Sequence, residues 1–186
     1  MNGRKPKNTH AVEVLHGQAL HERVIQHELL QAERHVWIAT ADLKDMHLPM
    51  ARGWRPVLEV FDRLAAAGVG LRVIHSDLPS RPFRDTLERF ERLCSGGLEL
   101  QVCPRSHWKM VLIDGRFGYL GSANFTGAGL GARAAGRRNL ELGAVGAEPA
   151  FVRRLEALYD AFWIGEFCTD CALRRRCPDP IGPAGG

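Results

Sequence analysis

His107-Trp108-Lys109-Met110-Val111-Leu112-Ile113-Asp114-Gly115, followed by Phe117-Gly118-Tyr119-Leu120 and Gly121-Ser122-Ala123-Asn124, is the stretch on which the fold turns. Met110 to Ile113 is an unbroken apolar run of strand length. Asp114-Gly115 is a hairpin-turn dipeptide, and Phe117 to Leu120 runs back as a second strand. Polar groups sit on both arms at the open end of this hairpin. His107 and Lys109 are two apart on an extended chain, so they share a face. Ser122 and Asn124 follow the other arm. An imidazole, an ammonium, a hydroxyl and an amide therefore converge. That set suits a phosphate: lysine supplies charge, hydroxyl and amide donate hydrogen bonds, and the imidazole is a nucleophile or proton carrier.

Outward from the hairpin, helical and extended patterns alternate, which predicts an α/β fold. Apolar residues recur at helical spacing over Gln18–His35, Pro56–Ala67, Arg84–Cys94 and Pro149–Trp163. Strands are expected at Ala11–Leu15, His35–Thr40, Leu71–Ile74, Leu98–Cys103 and Asn139–Val145. Residues 42–55, with Pro49 and Gly53, read as a loop. His21 and His27 are expected to be solvated or capping. His75, at a strand end, is a candidate substrate contact, and so are Asp42 and Asp45, although loop solvation accounts for the aspartates equally well. Arg81, Arg84, Arg89 and Arg92 interleave with Glu88 and Glu91, the pattern of a solvated, ion-paired face. The glycine run from Gly127 to Gly131 lacks the spacing and context of a dinucleotide loop.

The stretch HWKMVLIDGRFGYLGSAN resembles the HxK(x)4D(x)6GSxN motif of the phospholipase D superfamily, with His107, Lys109, Asp114, Gly121, Ser122 and Asn124 at the family spacing. The resemblance spans roughly residues 11–164. It implies a mixed central β-sheet flanked by helices on both faces, an α-β-α sandwich. It also implies phosphodiester cleavage through a phosphohistidine, with one histidine attacking phosphorus and a second protonating the leaving oxygen. No metal or other cofactor is required at such a catalytic centre. Lys109, Gly121, Ser122 and Asn124 would bind the phosphate. Asp114 belongs to the motif but lies in the turn, so a mainly structural role is expected. Asn139-Leu140-Glu141 matches an Asn-x-Glu element of the superfamily, which implies that Glu141 steadies the His107 imidazole. No second copy of the motif and no internal repeat occur in the sequence. A two-histidine reaction then implies a homodimer with a shared active site.

Bulk composition leaves the substrate open. The 186 residues fit one compact domain, and 45% hydrophobic with 25% charged residues is ordinary for a soluble protein. The net charge is +4, from 21 Arg and 4 Lys against 21 acidic residues. Arginine suits phosphate contact, though the codon preference of a GC-rich genome accounts for it equally well. Arg133, Arg137 and Arg138 lie in the loop after the motif. A nuclease is the favoured reading, with nucleic acid as substrate. A lipid phosphodiesterase of the phospholipase D or cardiolipin hydrolase type, acting on phospholipid, is the alternative. A non-catalytic nucleic-acid-binding module is a third, disfavoured by the intact His107 and Lys109. Residues 1–10 read as a polar tail with no secretory signal, and no apolar run is long enough to span a bilayer. A cytoplasmic location is expected.

The segment 165–186 forms a cysteine-containing tail. Cys168, Cys171 and Cys177 give a C-x2-C-x5-C pattern around Arg174, Arg175 and Arg176. Thiolates at this spacing hold zinc or an iron–sulfur cluster, and the pattern resembles the cluster-binding tail of some nuclease families. A fourth ligand would come from Cys94, Cys103 or a histidine. The competing reading is three unligated thiols.

Overall fold

The computed structural model describes residues 12–181, so the expected tail at 1–10 lies outside the described residues. Seven strands form one mixed sheet: β1 (Glu13–His16), β2 (His35–Thr40), β5 (Gly70–His75), β6 (Glu99–Val102), β7 (Met110–Ile113), β8 (Phe117–Gly121) and β9 (Leu142–Gly146). Their order is β1-β9-β8-β7-β2-β5-β6. β2, β5 and β6 run parallel, while β2–β7, β7–β8, β8–β9 and β9–β1 are antiparallel. The hairpin read from the sequence therefore occupies the middle of the sheet, and β7 is buried at every position.

Helices cover both faces, as the resemblance implied. On one face lie a helical segment and α2 (Val57–Ala66). The helical segment comprises α1 (Gln18–Leu20), a π-helix (His21–Glu28) and a 3-10 turn (Leu29–Gln31). Leu20, Val24, Ile25, Leu58, Phe61 and Leu64 pack there against Val36, Ile38, Val111, Ile113 and Tyr119. On the other face α4 (Pro149–Trp163) lays Leu155, Tyr159 and Phe162 over Met110, Leu112, Ala39 and Ile74. The α4 boundaries follow from its ends. Pro149 occupies the first turn, and the Glu148 carboxylate accepts the Ala150 and Phe151 N–H groups at 2.9 and 2.7 Å.

Three expectations need correction. The presumed loop at 42–55 contains a two-stranded ribbon, β3 (His47–Met50) paired with β4 (Gly53–Pro56), which Gly53 turns at φ 96°. The expected helix at 84–94 begins earlier, as α3 (Arg81–Leu87), because the Ser80 hydroxyl caps Phe83 N–H and Pro82 fits the first turn. It breaks near Phe90 and resumes at Glu91. His21 is neither solvated nor capping. It is buried, and its Nδ1 lies 2.8 Å from the Leu130 carbonyl, so it ties the glycine-rich loop to the helical layer.

Candidate active site

The hairpin is closed by the turn its sequence required. Asp114 and Gly115 both have left-handed backbone, φ 56° and 67°, and Arg116 N–H bonds the Ile113 carbonyl at 3.0 Å. At the open end, Gly121 N–H bonds the Lys109 carbonyl at 3.1 Å, which carries the ladder one step beyond β7. Gly121 has no room for a side chain: a Cβ there would lie 2.5 Å from the Leu142 carbonyl and 2.7 Å from the Tyr119 hydroxyl. That hydroxyl accepts the Ala123 N–H at 2.9 Å and donates to the Ala123 carbonyl at 3.3 Å, fixing the bend between Ser122 and Asn124. The motif glycine is thus a packing requirement of the tyrosine two residues before it.

His107 and Lys109 meet. The Lys109 Nζ lies 3.0 Å from His107 Nδ1 and 3.3 Å from Nε2, and it donates to the His107 carbonyl at 2.8 Å. Lys109 is only 9% exposed, while the His107 ring stands open to solvent. Burial lowers the lysine pKa, and the nearby Glu141 carboxylate partly restores it. The result is a poorly solvated cation beside an accessible nucleophile, the pairing that a phosphodiester dianion-like transition state calls for.

Asn124 is oriented by the end of β2. Its Oδ1 accepts from Ala41 N–H at 3.1 Å, Asp42 N–H at 3.3 Å and the Thr40 hydroxyl at 3.2 Å. Three donors facing one atom identify it as the amide oxygen, and the Nδ2 donor is turned the other way. Thr40 Oγ1 also accepts the Phe125 N–H at 2.9 Å. The Ser122 hydroxyl donates to the Glu141 carboxylate, whose other oxygen accepts the Asn139 amide at 3.1 Å. Glu141 immediately precedes β9. It bonds Ser122 and Asn139, and among the described residues it makes no bond to the His107 ring, which departs from the expected arrangement. Its charge reaches the site through Lys109.

Residues 25–163 match the family described as "Cardiolipin synthase, PLD-like domain". The chain belongs to the phospholipase D-like family. Its HxK(x)4D(x)6GSxN motif is the hairpin just described, with His107, Lys109, Ser122 and Asn124 gathered at one end. Solved structures share the fold. NucT from Helicobacter pylori superposes with a TM-score of 0.54 at 13% identity, covering 82% of this chain and 95% of that one. Nuc from Salmonella typhimurium, a phospholipase D family member, gives 0.52 at 15% identity, covering 92% and 99%. TrmBL2, an archaeal chromatin protein, gives 0.54 at 14% identity over 82% of this chain, which spans about half (51%) of that chain. No curated protein matches the chain significantly.

The remaining motif residue, Asp114, lies at the other end of β7, roughly 16 Å from Lys109 by strand rise. Its buried carboxylate accepts backbone N–H groups from Arg34 at 2.7 Å, His35 at 3.0 Å and Glu33 at 3.0 and 3.2 Å. Arg116 Nε is 3.4 Å away. Burial alone would raise its pKa. The three N–H donors and Arg116 outweigh that and hold the carboxyl below its ordinary value. Asp114 thus fastens the hairpin turn to the start of β2, away from the phosphate-binding end.

Other candidates separate from this site. His75 is 1% exposed, its Nδ1 is bonded to the Asp77 carbonyl, and burial lowers its pKa, so it does not open toward substrate. Asp45 accepts the Thr86 hydroxyl at 3.0 Å, and the Asp42 side chain pairs with Lys44 at 2.6 Å. What Asp42 brings to the site is its backbone N–H on Asn124. Arg138 bonds the Arg133 and Gly17 carbonyls, while Arg133 and Arg137 are exposed. Among the described residues no three His, Cys, Asp or Glu side chains are drawn closely enough together to hold a metal ion. No helix among them is long and apolar enough to cross a membrane. Thr40 and Tyr119 were missed in the sequence. Nothing local marks Thr40, whereas the Tyr-x-Gly-Ser spacing is a visible signal for Tyr119.

Proposed function

We propose that this chain is a metal-independent phosphodiesterase that cleaves nucleic acid as a homodimer, through a phosphohistidine on His107. The observation that carries this is the exposed His107 ring 3.0 Å from the buried Lys109 ammonium, in a motif complete to Asn124. A His107 ring nitrogen attacks phosphorus as the P–O bond to the leaving group breaks. His107 of the partner subunit gives its proton to the departing oxygen. That same imidazole then takes a proton from water, which attacks the phosphohistidine, breaks the P–N bond and frees His107. Lys109 and Asn124 Nδ2 bind the phosphoryl oxygens throughout.

Two features support a shared site. Each chain has one motif, and its histidine is open to solvent. Beside it, the part of the α4-bearing sheet face that α4 leaves uncovered is apolar, since Leu120 pairs with Met110 on that face. Leu120, Ala144 and Val14 lie in one row across β8, β9 and β1, and Leu142 follows on the same side of β9. Leu120, Leu142 and Val14 are 42%, 61% and 74% exposed. A second copy laid on this face would bury them beside the catalytic end of the hairpin.

Nucleic acid is favoured over lipid by the exposed Arg133 and Arg137 in the loop between Asn124 and Glu141. Trp54, exposed on the β3–β4 ribbon, is the observation that speaks for a lipid surface. The test is a panel of labelled single- and double-stranded DNA, RNA and phosphatidylglycerol or cardiolipin vesicles. Nucleic-acid cleavage that persists in EDTA is expected. Headgroup release from vesicles without cleavage of any nucleic acid would replace this reading with the lipid one.

A further inference from the structure

We propose that Cys103 joins Cys168, Cys171 and Cys177 in a four-thiolate metal centre that clasps the C-terminal segment to the loop carrying His107. The sequence left the fourth ligand open, and the fold decides it. All four cysteines line one cavity of about 200 Å³, whose other walls include Trp108, Phe162 and Phe167. Cys94 is excluded because its thiol lies elsewhere, bonded to the Leu87 carbonyl at 3.4 Å. The cysteines are unpaired, so every thiol is available.

Three further observations fit a soft metal. First, the surroundings are cationic. The Arg105 guanidinium and the backbone N–H groups of Leu173 and Arg174 hydrogen-bond the Cys171 sulfur. Arg174 also lines the cavity, with Nη1 on the Cys168 carbonyl at 3.2 Å and the Ile181 carbonyl at 3.0 Å. Four thiolates on a dication leave a net charge of about −2, which two arginines would balance. Second, Ser106 lines the same cavity, is 3% exposed, and its hydroxyl has no hydrogen-bond partner among the described residues. A buried orphan donor in the wall of the cavity that the four cysteines line is explained if it donates to a metal-bound thiolate. Third, the segment is already packed for the purpose. Phe167 meets Trp108 and Phe162 edge-on or tilted at 5.9 and 5.8 Å. The Asp179 carboxylate accepts the Val102 N–H at 3.0 Å. The sulfurs surround one volume without yet converging on one point, so binding draws the 168–177 loop inward as each thiol releases its proton.

The consequence for the site runs through four residues. Cys103 begins the turn that ends at His107: Ser106 N–H bonds the Cys103 carbonyl at 2.9 Å, and the Ser106 carbonyl accepts the Ser76 hydroxyl at 2.6 Å. A metal on Cys103 would therefore anchor the residues immediately before the nucleophile. This consequence rests on the proposed role of His107. The metal site itself does not.

Zinc and an iron–sulfur cluster share this ligand chemistry, and metal analysis separates them. Wild type, Cys103→Ser, Cys171→Ser and Cys94→Ser are purified anaerobically from medium containing both metals, and zinc, iron and acid-labile sulfide are measured. Wild type and Cys94→Ser are expected to hold about one zinc, or about four irons with sulfide, per chain. Cys103→Ser and Cys171→Ser should retain less than about a tenth of that. If the serine variants fail to fold, Co²⁺ titration of chelated wild type decides, since a tetrathiolate shows intense tetrahedral ligand-field and sulfur-to-metal absorption. Full metal in Cys103→Ser, loss of metal in Cys94→Ser, or folded wild type that holds no metal and gives no cobalt spectrum overturns the assignment.

Discussion

Replacing His107 with alanine should lower phosphodiester cleavage by at least about 10³-fold, because it removes both the nucleophile and, across the dimer, the proton carrier. The fold should be unaffected: the ring is exposed, and its described polar neighbour is the Lys109 ammonium, which keeps its bond to the His107 carbonyl in the variant. Mixing gives the sharper result. Equal amounts of wild type and His107→Ala, allowed to exchange subunits, leave about one dimer in four with two intact copies. If both histidines are needed at one shared centre, activity per wild-type chain falls to about half. If each chain works alone, activity per wild-type chain is unchanged. Titrating the variant into a fixed amount of wild type distinguishes the two, with sedimentation used to confirm exchange.

The second large effect is on stability, at the far end of the same strand. Asp114→Ala leaves the N–H groups of Glu33, Arg34 and His35 without their shared acceptor in a buried position. Hydrogen bonds to a charged group contribute about 1.5–3 kcal/mol, so a loss of about 3 kcal/mol is expected for the cluster. In a chain of this size that lowers Tm by roughly 6–12 °C. The folded pKa of Asp114 is depressed, so its contribution is fully present above the unfolded value near about 3.9 and is lost as pH falls through the lower folded value. The stability gap between wild type and Asp114→Asn should therefore be constant at neutral pH and shrink below about pH 4. Denaturant melts at pH 7 and pH 3 measure this. A gap that widens on acidification would contradict the assignment of Asp114 as a charged acceptor.

What the sequence made legible was local. The hairpin could be read because its turn chemistry, its apolar run and the two-residue spacing of His107 and Lys109 all lie within a few residues of each other. α4 was equally readable, since Glu148-Pro149 is a start signal and the apolar face follows it without interruption. The 47–56 ribbon was hidden because Pro49 and Gly53 read as breakers, yet they sit in a short two-stranded ribbon that tolerates both. The start of α3 at Arg81 lies three residues before the expected Arg84, because the Ser80 cap and Pro82 in the first turn begin the helix ahead of its apolar face. At the site, the anchor of Asn124 could not be seen. It depends on β2 lying next to β7, which brings Thr40 to a residue 84 positions away. Glu141 bonds Ser122 and Asn139 instead of the His107 ring, because its reach depends on where β9 starts. The cysteine spacing was visible, whereas Cys103 joins it only through the packing of the C-terminal segment on Trp108 and Phe162.

The central claim is that His107 carries the phosphoryl group during turnover. The direct measurement is quenching in alkaline detergent after mixing excess enzyme with oligodeoxynucleotide labelled at the scissile phosphate, followed by peptide mapping at alkaline pH. The account predicts a label that is stable to base and labile to acid, on the peptide containing His107, formed and lost at the rate of turnover and absent from His107→Ala. Cleavage at full rate with no label on that peptide, or with His107→Ala still active, would contradict it.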